Sequence, residues 1–167
     1  MIGFLVLFSV VHFDSTFPDS SLQRDFVRPA TSSLDLQRSN LVVSHEDAEV
    51  YRELERVVSD LSAPQDRIFA VPDCPQVTFL TGRKSAGRWM YEFFHESWQA
   101  SGESTIKRLI QEGVEVIVVN ERPAFSGSLP SEFREQIESS FRRHEVVLGA
   151  DDQEAFSVYV KEPGAGE

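Results

Sequence analysis

Residues 114–120 read Val-Glu-Val-Ile-Val-Val-Asn, and four of them in a row, Val116 to Val119, are β-branched and apolar. β-Branched side chains favour an extended backbone. Unbroken apolar character, in place of an alternation with polar residues, leaves neither face of the strand for water. Such a strand belongs inside a parallel sheet with helices on both faces, and the rest of the chain has to supply those helices.

The supply is visible in the periodicity. Val50, Tyr51, Leu54, Val57, Val58 and Leu61 recur at spacings of three and four, which predicts an amphipathic helix over about 46–61. Ser44 and Asp47 form a capping box with Asp in place of Glu, and Ala63-Pro64 ends the helix. Residues 67–71 (RIFAV), closed by Pro72, read as a buried strand, and 75–81 as a short helix between Pro75 and Gly82. The aromatic stretch 88–94 reads as a strand. A helix over 104–112 buries Ile106, Leu109 and Ile110 and ends at Gly113. Phe133, Ile137 and Phe141 predict a further helix over 130–143, with Arg142 and Arg143 at its negative end. Residues 145–149 and 155–161 read as two strands joined through Asp151-Asp152-Gln153. This order implies an α/β fold: a small Rossmann-like, mostly parallel sheet flanked by helices, with a C-terminal antiparallel hairpin.

The soluble α/β domain is expected over 46–163, with a short tail at 164–167. Residues 1–13 (MIGFLVLFSVVHF) are almost wholly apolar. As a helix they cover roughly 20 Å of a hydrocarbon core about 30 Å thick. No Lys or Arg precedes the run and no small-residue cleavage site follows it, unlike a signal peptide. We read it as a partial transmembrane helix; a buried N-terminal strand or helix is the alternative. Asp14 and Asp19 follow, and the first Arg is Arg24, which favours an extracytoplasmic exit. Residues 14–45, rich in Ser, Asp, Pro and Arg without clear periodicity, read as a linker.

Charge and residue counts exclude several functions. Net charge is −11, with 27 acids against 16 bases, which disfavours nucleic acid as a partner. Cys74 is the sole cysteine, so a Cys-rich zinc site is excluded, and the four histidines follow no metal-ligand spacing. There is no P-loop, no G-x-G-x-x-G after a strand and no nucleophile elbow. No cofactor is implied and no catalytic residue is assigned. Cys74 is better read as a buried side chain than as a nucleophile. Asp151, Asp152 and Glu154 suit a solvated hairpin turn better than a calcium loop.

Two constellations remain. Strand ends in an open parallel sheet are places for ligands, and here they carry Asp73 and Asn120. Asp73 is a candidate base or ligand, although shaping the Pro-flanked turn is the more economical role. Arg83 and Lys84, with Arg88 nearby, form a basic cluster in an acidic chain. They are candidates for contact with a phosphorylated lipid headgroup, against the more economical reading that they pair with carboxylates. Trp89, Tyr91 and Trp98 nearby suit a membrane interface or, more economically, a core.

The ordered set Asp66-Arg67, an apolar strand, Pro72-Asp73, an aromatic at Phe79, Leu80-Thr81-Gly82-Arg83 and then Arg88-Trp-Met-Tyr91 resembles a stretch in bacterial membrane glycosyltransferases. These belong to the protein-mannosyltransferase-like branch of the C-superfamily, which uses polyprenyl-phosphate sugars. The resemblance runs over about residues 46–163. It implies the extracytoplasmic C-terminal domain of a cell-membrane enzyme whose catalytic acid lies in a loop that this chain lacks. The expected partners are then the membrane-embedded portion of the enzyme or the membrane surface, and a polyprenyl-phosphate sugar. The alternatives are an independent α/β interaction module, membrane-tethered or soluble, and a small free-standing enzyme using Asp73.

Overall fold

The structure, a computed structural model, describes residues 32–36, 39–87 and 98–164. Among these described residues seven strands and four helices follow one another: β1 (Ser32–Leu36), β2 (Ser39–Val43), α1 (His45–Leu61), β3 (Arg67–Val71), α2 (Pro75–Thr81), β4 (Lys84–Ser85), α3 (Trp98–Gln111), β5 (Val116–Asn120), α4 (Ser131–Glu138), β6 (Phe141–Leu148) and β7 (Glu154–Lys161). The fold is α/β, built on a five-stranded mixed sheet of order β4-β3-β5-β7-β6.

The strand that constrains the fold is β5, and all five of its residues are buried. Val116 and Val118 enter a core with Leu54, Val57 and Val58 of α1 and Val77 of α2. Ile117 and Val119 point the other way, into a core with Ile106 and Leu109 of α3 and Phe133 and Ile137 of α4. The two-residue period of a strand thus divides one apolar run between two helical layers. From β3 the chain runs to β4 on one side and then crosses to β5 on the other. Connections of one hand running in opposite directions place their helices on opposite faces, as α2 and α3 are.

The sheet is less parallel than the sequence suggests. β3 pairs parallel with β4 and β5, but β7 is antiparallel to both β5 and β6. The C-terminal hairpin therefore forms, and it docks with its second strand inward. Burial explains the order: β7 buries five consecutive residues from Ala155 to Tyr159, whereas β6 buries only Phe141 and Val147 and carries exposed Arg142, Arg143 and His144. The more apolar strand takes the interior.

Two predicted elements change. The helix expected over 130–143 stops at Glu138, where Ser139 and Ser140 turn the chain, and Phe141 opens β6. Phe141 still packs in the same core as Phe133 and Ile137, so the apolar stripe identified its burial but not its conformation. Arg142 and Arg143 consequently lie in a strand and not at a helix end. The expected linker 14–45 holds an antiparallel hairpin, β1–β2, in its second half. Leu34 anchors it, buried against Ala48 of α1 and Leu80 of α2. The expected strand over 88–94 and the apolar run 1–13 lie outside the described residues. No helix among the described residues is long and apolar enough to cross a membrane.

Local signals hold elsewhere. Ser44 caps α1 by accepting the amide of Asp47 at 3.1 Å. Gly82 closes α2 with φ 69° and Gly113 follows α3 with φ 72°, a region that disfavours a side chain. Gly102 has a packing role, because α3 meets α4 there. A Cβ at this position would overlap Oε1 of Gln136 and lie 2.9 Å from Cδ2 of buried Phe133. Gly102→Ala is therefore expected to lower stability by about 1–2 kcal/mol in chemical denaturation, although alanine is the better helix former by roughly 1 kcal/mol. A gain in stability would show that the α3–α4 approach is not tight.

Candidate functional site

The loops leaving β3 and β5 set the site. Pro72, Asp73 and Cys74 turn the chain from β3 into α2, with Asp73 at φ 49°. Asp73 is 8% exposed, and its Oδ2 accepts the amide of Phe125 at 2.7 Å. That bond ties the exit of β3 to the exit of β5 across 52 residues of sequence. Asn120, also buried, ends β5 and accepts the amide of Arg122 at 3.0 Å through Oδ1. Arg122 then straps this loop to the β6–β7 turn: Nε donates to the carbonyl of Glu154 at 3.1 Å and a terminal nitrogen to Asp151 at 2.5 Å.

Between these loops lies an open crevice of about 680 Å³. Asp73 and Asn120 both line it, together with the first turns of α1 and α2, the loop around Phe125 and the β6–β7 turn. It sits where the connections from β3 and β5 part in opposite directions, the position at which open α/β sheets hold ligands. Tyr51 and Phe156 also line it, with ring centroids 6.2 Å apart and planes inclined at 47°. Phe125 is 63% exposed.

The lining is acidic. Glu46, Asp47, Asp73 and Asp151 face a single guanidinium, that of Arg122, which is engaged by Asp151. Burial, with the Asp47 carboxylate nearby, raises the Tyr51 phenol above its ordinary value and outweighs the opposing hydrogen bond with Gln76. Burial, with Asp73 beside it, pushes the Cys74 thiol well above the usual range. Cys74 is thus a protonated, buried thiol at neutral pH and a poor nucleophile. Among the described residues no group of three or more His, Cys, Asp or Glu side chains is placed to hold a metal ion.

The structure unites Asp73 and Asn120 but separates them from Arg83 and Lys84. Lys84 pairs with Arg67 at the opposite end of β3, roughly 13–17 Å along the strand from the crevice. Arg83 is 7% exposed and points into the protein. It donates to the carbonyl of Ser62 at 2.6 Å, to the Ser62 hydroxyl at 3.1 Å and to the carbonyl of Thr81 at 2.5 Å. Ser62 is the C-cap of α1 and Thr81 the last residue of α2. One guanidinium therefore serves two helix C-termini, where carbonyls lack partners and the helix dipole is negative. Among the described residues its partners are these protein oxygens, in place of the carboxylates that the more economical reading suggests. Lys84 is exposed on the edge strand, and Arg88, Trp89 and Tyr91 lie outside the described residues. Asp151 and Glu154 pair with Arg122 and Arg143 at the hairpin.

Sequence reasoning missed Tyr51, Phe125 and Arg122. Tyr51 counted as part of an apolar helix face, and only the placement of α1 over β7 brings it to the crevice. Glu121, next to Asn120, turns to the other face, where it takes two bonds from Arg134 at 2.7 and 3.0 Å and one from Ser157 at 2.5 Å.

None of the protein-family models, curated proteins or solved structures compared with the chain matches it.

Two predictions follow the geometry. Arg83→Met leaves the carbonyls of Ser62 and Thr81 without their buried donor and is expected to cost about 2–3 kcal/mol in urea unfolding; a loss below about 0.5 kcal/mol would mean that the cap is dispensable. Burial alone would raise the Glu121 carboxyl, but the bonds from Arg134 and Ser157 outweigh it and hold the group below its ordinary value. Its stabilising contribution is complete above the unfolded value of about 4.3 and disappears as pH falls through the lower folded value. Glu121→Gln is expected to lower stability at pH 7 and to make stability fall less steeply below about pH 4.5. Parallel pH–stability curves for the two proteins would remove Glu121 from the acid response.

Proposed function

We propose that this chain is a non-catalytic accessory domain of a membrane glycosyltransferase that uses polyprenyl-phosphate sugars, with a Rossmann-like half-sheet (β4-β3-β5) as its scaffold. The domain stands on the extracytoplasmic side of the cell membrane and helps to present substrate to the membrane-embedded portion. What carries this reading is the structural employment of the motif that resembles the family. Asp66 accepts the amide of Ala63 at 2.7 Å and shapes the exit from α1. Arg67 pairs with Glu112 at 2.8 Å. Asp73 holds the Phe125 loop, Gly82 provides a left-handed helix end, and Arg83 caps two helices. The ordered spacing is thereby explained by folding, with no catalytic duty assigned to any of its residues. Contact with lipid phosphate in this reading rests chiefly on Lys84 and Arg88, since Arg83 is buried and gives three of its five donors to protein oxygens.

A second reading, an independent interaction module, is favoured by the crevice, which the first turns of α1 and α2, the strand-end loops and the β6–β7 turn build together. Incubating the full chain with lipid vesicles that contain or lack a polyprenyl-phosphate sugar separates the readings. The accessory-domain reading expects preferential sedimentation with the loaded vesicles and no sugar release. Equal sedimentation with both would favour the independent module. Sugar release abolished by Asp73→Asn would overturn both in favour of an enzyme.

A further inference from the structure

We propose that the crevice at the ends of β3 and β5 is a binding site for an organic cation, a guanidinium or primary ammonium group, with Asp73 as its counter-ion and Phe125 as an aromatic wall. The inference does not depend on attachment to a glycosyltransferase.

The argument begins with Asp73. Asp73 is a buried residue that lines the crevice, and its carboxylate forms no ion pair with a cation among the described residues. The amide of Phe125 donates a hydrogen bond to Oδ2, which brings no positive charge. A carboxylate withdrawn from water without a counter-charge is costly, and a cation entering the crevice removes that cost. The Arg122 guanidinium, the one positive side chain of the lining among the described residues, is committed to Asp151 and to the Glu154 carbonyl.

The remaining lining points the same way. Glu46 and Asp47 stand in the first turn of α1 and offset the positive end of its dipole. Anions therefore meet four carboxylates against one engaged guanidinium, so phosphate and nucleotide are poor occupants. A neutral polyol finds acceptors here but gains nothing from the unpaired charge. Three aromatic residues, Tyr51, Phe125 and Phe156, line the space, and ring faces attract cations, guanidinium groups in particular. A volume of about 680 Å³ suits a small molecule or one long side chain. The same chemistry is presented by a free alkylguanidinium or alkylammonium and by an arginine or lysine of a peptide.

Titrations of the full chain followed by isothermal calorimetry and amide NMR would test this with butylguanidinium, butylammonium, neutral butyramide, methyl glucoside and inorganic phosphate. Both cations are expected to bind at one site, shifting the amides of Asp73, Asn120 and Phe125, with no response to the other three. Asp73→Asn keeps an oxygen for the Phe125 amide while removing the charge, and is expected to weaken cation binding at least about tenfold. Phe125→Ala, at an exposed position, is expected to weaken it about threefold or more without altering thermal stability. N-acetyl-Gly-Arg-Gly-amide assigns the source: tighter binding than butylguanidinium marks a protein side chain, and weaker binding a free molecule. Absence of cation binding, cation binding indifferent to both substitutions, or stronger binding of methyl glucoside or phosphate would overturn the proposal. None of these results bears on vesicle discrimination by the chain, so this inference and the accessory-domain reading fail separately.

Discussion

Burial of β5 on both faces is the constraint from which the rest of the architecture follows. Four β-branched residues and Asn120 occupy consecutive positions without exposure. Their alternate side chains require two separate apolar layers, which α1 and α2 supply on one face and α3 and α4 on the other. The strands that flank β5 inherit the same need, and β3 and β7 meet it with apolar residues of their own. Lys84 on β4 and Arg142, Arg143 and His144 on β6 put exposed polar side chains on the edge strands, where they also discourage pairing with further strands. Because β3 and β5 lie side by side and parallel, their C-terminal ends open together. The crevice is thus a consequence of how the two central strands are connected.

The two ends of β3 carry unlike electrostatics, and helix termini explain both. At its start, α1 and α2 finish close together, and their last carbonyls converge on the guanidinium of Arg83. At its other end, the same helices begin, and α1 meets the crevice with two acids in its first turn. A positive residue is therefore buried where helices end, and negative residues gather where they start. In a chain of net charge −11 this arrangement keeps Arg83 and Lys84 away from the crevice. It also leaves the crevice with an excess of negative charge that Arg122 only partly offsets.

Much of the fold was legible because burial in helices and strands is periodic. The faces of α1 and α3, the run in β5 and the caps at Ser44, Gly82 and Gly113 are local patterns, each read within about a dozen residues. Phe141 shows where such reading stops. Its spacing of four from Ile137 continues a helical stripe, and it does reach the same core, but the chain arrives there through a turn at Ser139-Ser140 and as a strand. The hairpin β1–β2 escaped notice for the opposite reason. Its strands are five residues each and mix Ser, Asp and Asn with Leu and Val, too short to show a period, and Leu34 acquires its meaning from Ala48 and Leu80, which lie in helices further along the chain.

The site was legible only at the points fixed by topology. Asp73 and Asn120 follow from the rule that open parallel sheets bind ligands at strand ends, which requires no knowledge of side-chain contacts. The partners of Arg83 were not legible in sequence, because they are the Ser62 hydroxyl and backbone carbonyls, which every residue possesses. Phe125 is the converse case. Its neighbours Ala124, Ser126 and Gly127 read as an ordinary loop, and its position at the crevice depends on the hydrogen bond from its amide to Asp73. That single bond explains why the carboxylate is held in place yet not neutralised: an amide donor fixes one oxygen and leaves the net charge unpaired. An acid positioned by the backbone, beside an aromatic ring that the same backbone delivers, is a pre-organised partner for a cation, with little reorganisation left for the moment of binding.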